Sequence, residues 1–249
     1  MSQALDQNVA RAAANWSRVC ALYDKHAPTF WSGEAKIDAW EPFALACLAR
    51  CRSLLESIAL LRAREADCAT LVRVLYEHVV TFAWLMIDPT EHHRQFLRWE
   101  LNQRTKIYGD MRAHGVLTLQ DEADIQRDSL LMENGAAQKA APELPDRALG
   151  VDRFWGARDS TQKYELRSMY GWLWRTYSAH VHPTWAGLVW QVRGNDSEAL
   201  LIGEARAFDP DEPLCLAVLL FADALRVSSF ALSWPPLSEV VGSYLSEEV

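Results

Sequence analysis

The chain lacks the sequence signatures of the common nucleotide-binding and hydrolytic sites, and it is poor in positive charge. No GxGxxG, GxxxxGK[ST], GxSxG or HExxH pattern occurs. This excludes the standard dinucleotide, phosphate-loop, α/β-hydrolase and zincin sites. The 249 residues include 25 Lys and Arg against 33 Asp and Glu, which gives a net charge of −8. A protein that coats nucleic acid needs an extended basic surface, so the negative net charge argues against that class of protein. It still allows a local basic pocket that binds an anionic ligand.

Cysteine is also scarce and irregularly spaced. The two closest of the 5 cysteines, Cys47 and Cys51, are four positions apart and do not form a CxxC pair. The histidines of His92-His93 and His180-Val-His182 have no carboxylate at ligand spacing beside them, and positions i and i+2 of a helix point apart. We therefore expect buried free thiols, no metal site and no cofactor.

The first residues do not combine a basic segment, an apolar run and a cleavage site, so we expect a cytoplasmic protein.

What the sequence does have is helical periodicity almost throughout. Apolar residues recur at the spacing of one helix face, and helix stops follow at Asp88-Pro89, Gly115 and Pro235. We therefore predict an all-α multi-helix bundle that forms a single domain over residues 1–249. Its N-terminal helix, at about 7–23, is expected to be peripheral to a core bundle at about 40–233.

Three further segments of the chain are predicted from their turn-forming or charged residues. Strand is expected only as a short β-hairpin near 188–203, around Gly194-Asn195-Asp196. A charged, solvent-facing helix is predicted at 117–141. The Pro, Gly and Asp content of residues 142–160 favours a loop there.

The segment from about 66 to 87 is apolar on nearly every side, yet it contains Arg73, Glu77 and His78. A bilayer would tolerate these three residues poorly, so we predict the central helix of a soluble bundle and no membrane partner. His78 is expected to be neutral and hydrogen-bonded to a carbonyl. Arg73 and Glu77 are four positions apart, which suits an internal ion pair that fixes helix packing. In the alternative interpretation, both belong to a substrate-binding pocket in which Arg73 helps Arg175 to hold an anion.

The run from Arg175 to Pro183 combines an arginine, a serine and two histidines in an otherwise apolar and aromatic segment. On a helix, Arg175, Ser178 and His182 share one face, whereas His180 joins Tyr177 on another. A fixed cation beside a group that titrates near neutrality is what the cleavage of a phosphate ester requires. The same pattern is also typical of a packed helix end with a hydrogen-bonded histidine.

The chain resembles a bacterial family of uncharacterised all-helical proteins in two segments. The first runs from Arg73-Val-Leu-Tyr-Glu77 to Asp88-Pro89, and the second is Tyr177-Ser178-Ala-His-Val-His182-Pro183. This family is in turn similar to the HEPN superfamily of helical bundles. Many HEPN proteins are metal-independent ribonucleases of toxin–antitoxin and phage-defence systems, with an Arg-x4-6-His motif at a dimer cleft.

The resemblance implies a ribonuclease whose catalytic residues are Arg175 and His182, or Arg175 and His180 in the shorter spacing. It further implies that Tyr177 and Ser178 contact the substrate, that RNA and an antitoxin or other protein are partners, and that the chain is a homodimer. The residue after the arginine is Thr176, where active HEPN enzymes usually carry Asn, Asp or His. The alternative is a non-catalytic helical binding module in which the same residues form internal polar pairs.

Overall fold

The computed structural model describes residues 15–26, 40–61, 65–134, 140–158, 165–181, 192–194, 200–202 and 212–231. About 90% of the described residues are helical, in 8 helices, which confirms the all-α prediction. The helices are α1 (Trp16–His26), α2 (Trp40–Leu60), α3 (Glu65–Leu85), α4 (Pro89–Ala113), α5 (Leu119–Asn134), α6 (Leu144–Arg158), α7 (Leu166–Val181) and α8 (Glu212–Ala231).

Helix α3 is the centre of the core, as its apolar sequence predicts. It packs against α2, α8, α6 and α7. Because it is covered on several sides, most of its length is buried, including the side chains of Val72, Leu75, Tyr76, Val79 and Phe82. The hydrogen bond expected for His78 is present, since its Nδ1–H donates to the Val74 carbonyl oxygen at 2.8 Å.

Helix α1 packs against α2 and α8, and its contacts with them include an ion pair and a ring contact. Arg52 of α2 donates to both carboxylate oxygens of Asp24, at 3.1 and 2.9 Å, and also pairs with Glu56. The ring of Tyr23 lies 6.0 Å from that of Phe221 on α8. The residues before position 15, where the sequence places the first half of this helix, lie outside the described residues.

The predicted loop at 142–160 is wrong, because helix α6 occupies most of it. Pro145 is the second residue of α6, where its missing N–H breaks no helical hydrogen bond. Val151 and Trp155 are buried, and the Trp155 indole N–H donates to the Ala83 carbonyl oxygen of α3 at 3.0 Å. Arg147 is also buried and donates to the Thr81 hydroxyl at 2.8 Å. Helix α6 is therefore an integral part of the core.

Helices α4 and α5 form a separate compact unit over residues 87–143, while the remaining helices belong to a second unit. Asp88 caps the start of α4 by accepting from the Glu91 N–H, and Gly115 follows its end with a left-handed φ of 67°. Arg104 of α4 pairs with Asp128 of α5 at 3.3 Å. A single domain over the whole chain stays a prediction.

Two short antiparallel strands, β1 (Val192–Gly194) and β2 (Leu200–Ile202), pair Arg193 with Leu201. They lie within the predicted hairpin at 188–203, so strand is confined to this segment among the described residues.

Two stretches, Asp67–Leu85 and Glu212–Ala231, are long and apolar enough to cross a membrane by length and composition alone. Most of each stretch, 67% and 61%, is buried inside the protein, and the core helices of soluble proteins pass the same test.

All five cysteines are free and buried, as predicted. Burial raises the pKa of the Cys20 thiol to about 11.

Candidate functional site

Helix α7 carries most of the predicted site residues, and its amino end is fixed by side chains from two other helices. Asp152 of α6 accepts from the backbone N–H groups of Leu166 and Arg167, at 2.8 and 2.9 Å. Tyr76 of α3 donates its hydroxyl to the Leu166 carbonyl oxygen at 2.6 Å. Since a helix start leaves its first N–H groups unpaired, Asp152 caps α7 from outside the helix. Sequence reasoning missed this residue because it assigned Asp152 to a loop.

Replacing Asp152 with Ala is expected to lower the free energy of unfolding by about 1–2 kcal/mol, because two helix-terminal N–H groups lose their acceptor. Asp152→Asn should lose less, since its amide oxygen can still accept one of the two bonds. Arg153→Ala, a change at the exposed neighbour, is the matched control. Urea denaturation followed by circular dichroism measures all three. An Asp152→Ala midpoint equal to that of the parent would mean that the cap does not stabilise α7.

The protonation of Asp152 gives this cap a defined pH dependence. Burial raises the pKa of its carboxyl above the usual 3.8, and the two backbone hydrogen bonds oppose the rise. The folded state therefore binds a proton more tightly than the unfolded chain does. The free energy of unfolding is expected to fall as pH rises from 3.8 through the folded-state pKa.

The described side chains of α7 define which face of the helix is buried. Leu166, Leu173 and Tyr177 are almost fully buried and form one stripe at helical spacing. Arg175 is two positions from both Leu173 and Tyr177, so its position lies about 160° round the helix from each of them. His180 is seven positions after Leu173 and therefore falls on the side of the buried stripe. The backbone thus places Arg175 and His180 on different faces of α7.

Ser178 and His182 are the remaining predicted site residues of this segment. Ser178 lies in α7 three positions after Arg175, and the side chains of Arg175, Ser178 and His180 are outside the described part of the chain. His182 lies outside the described residues altogether. The pairing of Arg175 with His182, rather than with His180, stays a prediction that rests on helical spacing.

Tyr177, predicted to contact the substrate, is fully buried in the core. Burial raises the pKa of its hydroxyl, and the neighbouring Glu212, Cys215 and Cys68 add to the rise. A substrate could reach this hydroxyl only if α7 moved away from its neighbours. The geometry therefore gives Tyr177 a packing role in the conformation described.

Arg73 and Glu77 form the predicted ion pair, with 3.4 Å between Arg73 Nε and Glu77 Oε1. The pair is less buried than the sequence suggests, because 16% of the Arg73 side chain and 38% of the Glu77 side chain are exposed. A pair that is exposed to this extent contributes little to stability. The pocket that Arg73 would share with Arg175 stays a prediction.

Helix α7 also differs from the other described helices in its charge. Its 16 residues include Arg167, Arg175 and His180 but no Asp or Glu. Each of the other seven described helices has at least one carboxylate. On a chain with a net charge of −8, α7 is therefore a local basic element. Such an element suits an anionic ligand.

A family model matches residues 42–199, which is more than half of the chain. The chain belongs to DUF5677, a family of unknown function. The DUF5677 match begins at the third residue of α2, includes α3 to α7 and all seven predicted site residues, and ends before α8. The match is narrower than the core bundle predicted at about 40–233. Neither a comparison with curated proteins nor one with solved structures finds a match.

Proposed function

We propose that this DUF5677 chain is a HEPN-like ribonuclease that cuts single-stranded RNA without a metal ion. The observation that carries the proposal is the position of Arg175 on α7, opposite the buried stripe of Leu173 and Tyr177. The absence of carboxylates from α7 supports it further, because a phosphodiester is repelled by negative charge. Helical spacing predicts that His182 shares the face of Arg175.

The chemistry follows from these two residue types. Arg175, which is always charged, binds a non-bridging phosphate oxygen and stabilises the charge that develops on it. The ribose 2′-oxygen forms a bond to phosphorus as the bond from phosphorus to the 5′-oxygen breaks. His182 takes the proton of the 2′-hydroxyl, and His182 of a second copy gives a proton to the leaving 5′-oxygen. The products are a 2′,3′-cyclic phosphate and a 5′-hydroxyl.

The second histidine requires a symmetric homodimer, in which two copies of α7 face one cleft. The biological setting that suits this activity is a cytoplasmic toxin–antitoxin or phage-defence system, where an antitoxin or another protein restrains the nuclease. Both statements rest on the resemblance to HEPN proteins.

The test is RNA cleavage by the purified chain in EDTA. The parent should cut a single-stranded RNA, and Arg175→Ala should lower the rate by about 10²–10³-fold, the effect of removing one transition-state donor. Arg153→Ala is the matched control, because it removes an exposed arginine from α6. Cleavage by Arg175→Ala at the parental rate, or no cleavage by the parent, would refute the proposal.

The competing function is a non-catalytic binding module, and two observations favour it. Tyr177 is fully buried and Arg73 is ion-paired with Glu77, which is the arrangement that this alternative expects of these three predicted site residues. In this alternative, Arg175 supports contact with a protein partner. Intact RNA after incubation with the folded parent chain is the result that this alternative predicts.

A further inference from the structure

We propose that the outward face of α7, made up of Arg167, Ser168, Gly171, Trp172 and the position of Arg175, binds single-stranded RNA by stacking an unpaired base on Trp172. This inference rests on the proposed function and adds to it the residue that holds the base. These five positions lie on the side of the helix away from the buried stripe. Arg167, Ser168 and Trp172 are all exposed.

Trp172 has the properties of a stacking platform. Its side chain is 46% exposed, whereas most large aromatic side chains described in the bundle are covered. Its ring also lies 5.7 Å from the ring of the buried Tyr177. This contact holds one part of the indole in place and leaves another part open. Every base has a π face, so an exposed and anchored ring binds unpaired bases with little regard to sequence.

The positions around Trp172 suit a sugar–phosphate backbone. An added Cβ at Gly171 would meet no atom within 4 Å, so the helix surface is open there. Arg175 is four positions after Gly171 and three after Trp172, which makes all three neighbours on the helix surface. Arg167 supplies a second cation beside them, with its guanidinium 5.6 Å from the ring centroid of Tyr170.

The nearest described carboxylates on α6 and α7 lie at the amino end of α7, away from Arg175. Glu165 directly precedes the helix. Asp152 is bound to the N–H groups of Leu166 and Arg167. Since α7 rises about 1.5 Å per residue, Arg175 lies roughly 12 Å further along the axis than Arg167. Among the described residues of α6 and α7, no carboxylate therefore lies at the Trp172 and Arg175 positions of the helix, while Glu212 of α8 neighbours Tyr177 on the buried side.

The experiment measures binding separately from cleavage. The probe is a fluorescein-labelled oligouridine with 2′-O-methyl riboses, which cannot be cut because it has no 2′-hydroxyl. Fluorescence anisotropy in EDTA gives its Kd. Trp172→Ala should weaken binding by about 5–100-fold, the usual effect of losing one base–aromatic stack. Trp172→Phe, which keeps a ring against Tyr177, should weaken it less.

Leu60→Ala is the matched control, since it removes an exposed apolar side chain, 76% exposed, at the end of α2. Its Kd should equal that of the parent. Far-ultraviolet circular dichroism checks that each variant is folded. A Kd for folded Trp172→Ala equal to that of the parent, or no binding by the parent, overturns the inference.

Cleavage of the unmodified oligouridine, measured in parallel, distinguishes this inference from the proposed function. If the parent cuts RNA and its Kd does not depend on Trp172, the stacking inference is wrong and the ribonuclease stands. If binding depends on Trp172 and no RNA is cut, the inference stands and the ribonuclease is wrong. A double-stranded RNA of the same length should compete poorly, because its bases are already stacked.

Discussion

RNA cleavage by His182→Ala is expected to be about 10²–10⁴-fold slower than cleavage by the parent chain, the usual contribution of a positioned general acid or base. His180→Ala should keep a rate close to that of the parent, because the backbone of α7 places His180 on the side of the buried Leu173 and Tyr177. Initial rates on a labelled single-stranded RNA in EDTA give both values.

This pair of variants tests the two spacings of the Arg-x4-6-His pattern against each other. A large loss in His180→Ala together with a normal rate in His182→Ala would mean that the shorter spacing is active. In that case, α7 would have to present Arg175 and His180 to the substrate together in spite of their positions on different faces. Thermal melts of both variants separate lost chemistry from lost folding.

Replacing Trp155 with Ala is expected to lower the free energy of unfolding by about 3–5 kcal/mol, the usual cost of removing a buried aromatic ring. The ring is nearly fully buried in the core, and its N–H donates to the Ala83 carbonyl oxygen. The variant therefore leaves a cavity and an unpaired carbonyl between α6 and α3. Urea denaturation monitored by circular dichroism measures the change.

Arg153→Ala is the control for this prediction as well, because it alters an exposed residue two positions away and should change stability by no more than about 0.5 kcal/mol. A Trp155→Ala curve that overlays the parental curve would mean that α6 adds little to the core. Residues 144–158 would then behave energetically as the loop that the sequence suggests.

Most of the fold could be predicted from apolar periodicity, and the failures have a physical reason. The segment of α3 is apolar on nearly every side and also carries Arg73, Glu77 and His78, a combination that suits a central helix of a bundle, and it packs against four other helices. Helix α6 was missed because Pro145, Gly150 and Gly156 are typical of turns. In the structure, Pro145 occupies the first turn of a helix, and burial of Val151 and Trp155 outweighs the weak helix propensity of the glycines.

The candidate site could be predicted only in part, because tertiary packing decides which face of each helix is exposed and which is buried. The i, i+4 spacing was sufficient to predict the ion pair between Arg73 and Glu77, but not its exposure. Asp152 could not be found, because its role depends on α6 bringing it to the start of α7. The exposed Trp172 could not be told from the buried Tyr177 by residue type. Only the packing of α7 on its neighbours separates the two.

The measurement that tests the central claim most directly is the chemical identity of the RNA ends. Fragments made by the parent chain in EDTA would be analysed by mass spectrometry, alongside those from Arg175→Ala and His182→Ala. The proposed use of Arg175 and His182 predicts 2′,3′-cyclic phosphate and 5′-hydroxyl ends that form without metal and disappear in both variants. Ends with a 3′-hydroxyl and a 5′-phosphate, or fragments that form equally in the two variants, would contradict it.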